Sequence, residues 1–65
     1  MKAFIEDISS GQRFELNKDI FKYPPVKGDM IRFSSDDSIY VYIITNKFVD
    51  LLRYEVIFYG YEKLL

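Results

Sequence analysis

Sixty-five residues, with nine Lys plus Arg against ten Asp plus Glu, fit one small domain (1–65) of formal net charge −1. That balance argues against a strongly basic nucleic-acid binder, and a hydrophobic content of 49% argues against intrinsic disorder. The chain has no Cys and no His, which removes disulfides, thiolate nucleophiles, the commonest metal ligand and the commonest neutral-pH general base.

Ordering a chain costs roughly 1.5 kcal/mol per residue, and burial has to offset it. The resource here is aromatic: six Phe and six Tyr make up 18% of the residues. Each can bury ~150–250 Å². A single aromatic-rich core is expected, with dimerisation as a second route to sufficient burial. Ala is nearly absent while Ile, Val, Tyr and Phe dominate, which favours strands.

The first expected hairpin joins strands 2–7 and 12–17 through Ile8-Ser9-Ser10-Gly11. Setting Asp7 against Gln12 puts Ile5 opposite Phe14 and Ala3 opposite Leu16 on one face. The other face then pairs Glu6 with Arg13 and Phe4 with Glu15, so an apolar side and a charged side separate cleanly. Residues 18–27 follow as a loop, because Pro24 and Pro25 block regular pairing. Asp19–Lys22 is compatible with one helical turn. Lys27-Gly28-Asp29 turns the chain into a third strand, 30–34.

Ser34–Ser38 is the clearest turn, and it leads into the strongest strand signal, 39–47. Both parities of that strand are apolar: Ile39, Val41 and Ile43 on one side, Tyr40, Tyr42 and Ile44 on the other. A strand covered on both faces, or a bulged strand that switches faces, accounts for this. Phe48–Leu52 reads as a hairpin turn in preference to a short helix. The last strand is 53–61, with Tyr54, Val56 and Phe58 inward and Glu55 marking the outer face. Gly60, inside that strand, predicts a bulge or a close backbone approach. Glu62–Leu65 reads as a fraying tail.

The result is an all-β fold: a five-stranded antiparallel meander closed into a small barrel, with a Pro-containing loop between strands 2 and 3. Closure removes the aggregation-prone edges of the uncharged segments. This order of elements, with Pro25-Val26-Lys27-Gly28-Asp29-Met30-Ile31 leading into the third strand, resembles small SH3-like barrel proteins of bacterial or phage origin. The motif-like part is Val26-Lys27-Gly28-Asp29 followed two residues later by Ile31. Peptide-binding SH3 domains carry an Ala-Leu-Tyr-Asp-Tyr segment and a paired Trp, and neither is present. The KOW motif is absent too, so the resemblance implies a fold and transfers no binding residues.

No cluster carries catalytic chemistry. Asp36-Asp37 reads as a solvated hairpin tip and Glu6-Asp7 as a strand end. The glycines match no phosphate loop, and the serines have no His to activate them. The chain is too short for a deep pocket of ~300 Å³ or more. A non-enzymatic module with no cofactor and no metal is expected. N-terminal Glu6 and Asp7 interrupt any secretory run, and no uncharged stretch approaches the ~20 residues of a membrane helix. A cytoplasmic protein with no membrane partner follows.

The aromatic surplus points to a binding surface. Strand parity places Tyr59 and Tyr61 outward, joined by one of Tyr40 and Tyr42, as a patch for another protein, as an interaction partner or an inhibitor. A second reading is single-stranded nucleic-acid binding through Lys18, Lys22, Tyr23 and Lys27, where lysines flank a stacking aromatic. A third is a self-associating subunit, a homodimer formed through an exposed strand.

Overall fold

The period-two apolar segments form strands. The computed structural model describes Met1–Leu64; Leu65, the end of the expected tail, lies outside the described residues. Strands β1 (Lys2–Asp7), β2 (Arg13–Leu16), β3 (Met30–Ser35), β4 (Ser38–Asp50) and β5 (Glu55–Glu62) form one curled sheet in the order β2-β1-β5-β4-β3. A 3-10 turn, η1 (Lys18–Phe21), lies between β2 and β3. Its start is capped by Asn17, whose side-chain oxygen accepts from the Asp19 N–H at 2.8 Å.

The first hairpin has the register its side-chain pattern dictates: Ala3 faces Leu16, Phe4 faces Glu15, Ile5 faces Phe14 and Glu6 faces Arg13. The Asp36-Asp37 turn also forms, both residues with positive φ (50° and 64°) as a two-residue I′-type turn requires. Phe48–Asp50 continues β4, and Leu51–Tyr54 makes the hairpin turn into β5.

Two expectations about closure are corrected. β1 pairs with β5 in parallel, so the sheet is mixed. Parity explains this: five strands alternating up and down leave the first and fifth pointing the same way. The sheet is also not closed. β2 and β3 are its free ends, and the segment from Asn17 to Asp29 crosses between them. The result is an all-β half-barrel, compatible at a coarse level with an SH3-like fold.

Ala3, Ile5, Phe14, Leu16, Tyr42, Ile44, Val56 and Phe58 fill the concave side. Phe14 on one free end stands 5.3 Å from Phe33 on the other, ring centre to ring centre, so aromatic packing spans the seam that hydrogen bonds do not. A further correction concerns Tyr54, expected inward on strand 53–61. It sits in the turn before β5, 62% exposed, with φ of +57°.

Gly60 explains how β4 serves both faces. A Cβ there would collide with the Ile43 carbonyl oxygen, so only glycine fits. Beside it, the register shifts between Ile44 and Asn46, leaving Thr45 as a bulge. Before the bulge Tyr40, Tyr42 and Ile44 point inward. After it the parity inverts, and Phe48 joins Ile57 and Phe4 in one outer-face row. Ile57 is buried there in spite of its outward direction.

Candidate functional site

The outer face of β3-β4-β5 follows directly from the inward choice of Tyr40, Tyr42 and Ile44. Alternation turns Ile39, Val41 and Ile43 outward. Met30 and Tyr61 flank Ile43 on the two neighbouring strands, giving the cross-strand row Met30–Ile43–Tyr61. Ile39 is 72% exposed, Met30 59% and Tyr61 42%. Single exposed apolar side chains are ordinary, but a contiguous group on one sheet face is not. Arg32 stands opposite Val41 in the next row, and the Lys63 N–H bonds the Val41 carbonyl at 2.8 Å, so cationic residues border the patch.

The expected partner-binding tyrosines divide. Tyr61 belongs to this outer patch. Tyr59 lies on the same face, half-buried, opposite Glu6 on β1 and Asn46 on β4. Tyr40 and Tyr42 share the inward parity, which corrects the expectation that one of them joins the surface group. Tyr40 packs 4.9 Å from Phe14, and Tyr42 is only 2% exposed.

Tyr42 has a structural task that its sequence position does not announce. Its hydroxyl donates to Asp7 Oδ2 at 2.6 Å. The other Asp7 oxygen accepts from the Ser9 and Ser10 N–H groups at 2.8 and 3.2 Å. The Tyr42 hydrogen bond, helped by those two amides, holds the Asp7 carboxyl below its ordinary pKa. Burial, then the Asp7 carboxylate, pushes the Tyr42 phenol up. Asp7 is thus a joint between the first hairpin and β4, both of its carboxylate oxygens already accepting hydrogen bonds. Among the described residues no three acidic side chains gather to hold a metal ion.

On the convex side of β1 and β2, Arg13 hydrogen-bonds Glu6 at 2.7 Å, which raises its pKa, and its guanidinium lies 5.5 Å above the Phe4 ring. These groups satisfy one another.

Of the four residues of the nucleic-acid reading, Lys18, Lys22 and Tyr23 lie on or beside η1, and Lys27 lies apart at a different groove. Lys18 lies on η1, and Lys22, just beyond it, pairs with Asp19 at 3.5 Å. Tyr23 is 85% exposed and lines a groove of about 270 Å³ with Leu16, Ile20, Ile31 and Phe33, at the seam between β2 and β3. Lys27 lines a separate groove of about 300 Å³ with Pro25, Val26, Ile44 and Lys47. Both grooves are shallow and open, so their size does not amount to an enclosed pocket. No helix of the described residues is long and apolar enough to cross a membrane.

No family model matches the chain, and neither a curated protein nor a solved structure matches it.

Proposed function

We propose that this chain is a non-enzymatic protein-interaction module on an SH3-like scaffold, and that it receives its partner on the outer face of β3-β4-β5. The observation that carries this reading is the row Met30–Ile43–Tyr61 together with Ile39 and Val41. Folding leaves Met30, Ile39 and Tyr61 exposed around the half-buried Val41 and Ile43. An interface core of this kind takes an aliphatic or aromatic anchor, with Tyr61 supplying area and a wet hydroxyl. The adjacent Arg32 and Lys63 favour a partner with acidic residues at the rim.

The test places a photo-cross-linking phenylalanine analogue at Tyr61, at Ile39 and, as a control, at the exposed Gln12 of the first hairpin, in cells that express the protein. A discrete protein adduct from positions 61 and 39 but not from 12 supports the reading. Equal adducts from all three, or none from 61 and 39, refute it.

A further inference from the structure

β3 is a free end of the sheet, and its hydrogen-bonding phase is determined from both sides. The two-residue turn makes Ser35 and Ser38 a bonded pair. At the other end the Ile44 N–H bonds the Asp29 carbonyl at 2.9 Å. Pairs alternate in an antiparallel ladder, so Ile31, Phe33 and Ser35 bond towards β4, as the Asp29 carbonyl does. The N–H and C=O groups of Met30, Arg32 and Ser34 therefore point away from the sheet. Among the described residues no turn or loop backbone bond reaches these three. Open grooves lie on both sides of this edge: the seam groove bordered by Ile31 and Phe33, and another of about 420 Å³ bordered by Arg32, Ser34 and Ile39. The edge has no proline and no inward-pointing charge to protect it.

We infer that a second copy of this chain occupies the edge, its β3 antiparallel to the first and the pair centred on Phe33. Three alternatives are weaker. Centring on Arg32 sets two guanidinium groups directly opposite each other. Centring on Ile31 puts Phe33 against Asp29. Centring on Ser34 runs the ladder into the Asp36-Asp37 turn, whose positive φ values are not strand. The Phe33-centred register pairs each Arg32 with the second copy's Ser34 through backbone bonds, and each Ile31 with its Ser35. It places the two Phe33 rings side by side on the concave face, where the seam groove is apolar. It also sets each Arg32 diagonally beside the second copy's Asp36, so the edge is complementary in charge to itself. The partner-binding face proposed above stays open in this dimer and is doubled, because β3-to-β3 pairing continues the sheet without covering Ile39, Val41 or Ile43.

The experiment is sedimentation of the full chain over a dilution series at low and high salt, with amide exchange followed residue by residue on the same samples. The wild type is expected to pass from monomer to dimer with concentration, more weakly at high salt, and the Arg32 and Ser34 amides to gain protection in the dimer. Ser34→Pro removes only an edge-facing N–H. It should shift the dissociation constant at least tenfold towards monomer while leaving the near-UV aromatic spectrum unchanged. A wild type that stays monomeric at millimolar concentration overturns the inference. So does a dimer in which the Arg32 and Ser34 amides exchange as fast as in the monomer, a measurement that does not depend on the variant folding.

Discussion

The Tyr42 hydroxyl donates a 2.6 Å hydrogen bond to the Asp7 carboxylate, tying β4 to the turn of the first hairpin. The two residues are 35 positions apart in the chain. The bond joins segments that no backbone ladder connects directly. A hydrogen bond to a charged acceptor contributes about 1.5–3 kcal/mol when its partner is deleted. Tyr42→Phe should lower stability by that amount in denaturant titration, with no change in the slope of the transition.

The same pair makes stability pH-dependent at both ends. The folded Asp7 carboxyl has a lowered pKa. Its contribution is complete above the unfolded carboxylate value of about 4 and is lost as pH falls through the folded value. The folded Tyr42 phenol has a raised pKa. Its contribution is complete below the unfolded phenol value of about 10 and is lost as pH rises towards the folded value. Unfolding midpoints measured across pH should show both declines in the wild type. Asp7→Asn should flatten the acid limb and Tyr42→Phe the alkaline one.

Gly60 allows the Ile43 carbonyl to approach where any side chain would collide. Gly60→Ala should therefore cost about 1–3 kcal/mol or more by overpacking against backbone that cannot rotate away. A variant as stable as the wild type in thermal unfolding would show that the Thr45 bulge tolerates a different register.

Tyr54 occupies a left-handed backbone position while most of its ring is exposed. A left-handed conformation costs a non-glycine residue roughly 1–2 kcal/mol. Tyr54→Gly gives part of that back as unfolded-chain entropy, leaving an expected gain of about 0.5–1 kcal/mol. A higher thermal midpoint for Tyr54→Gly checks this, and a loss like that of a core aromatic would contradict it.

These sites mark where the sequence was readable. The first hairpin's register was legible because Ala3, Ile5, Phe14 and Leu16 alternate strictly with Glu6, Arg13 and Glu15, and one slip would bury charge. Gly60 was legible as a break because a strand gains nothing from glycine there. The buried face of β4 was not legible, since the Thr45 bulge inverts parity partway along a strand apolar on both sides. The left-handed position of Tyr54 is not legible, because no Gly or Asn marks it in the sequence. The task of Asp7 is not legible either, because its partner Tyr42 lies 35 positions away in the chain. The parallel pairing of β1 with β5 is legible from strand count alone, because the first and fifth of five alternating strands point the same way.

The outer face of β3-β4-β5 is either a surface for a partner, as proposed, or a second core. Paired measurements on Tyr61→Ala and Phe58→Ala separate the two most directly. Phe58 is almost fully buried, and its loss should cost about 3–5 kcal/mol in thermal or denaturant unfolding. Tyr61→Ala should cost about 1 kcal/mol or less while abolishing the cross-linked adduct formed by the analogue at Ile39. If Tyr61→Ala destabilises the fold as much as Phe58→Ala, or leaves the Ile39 adduct intact, the outer face is not the binding site.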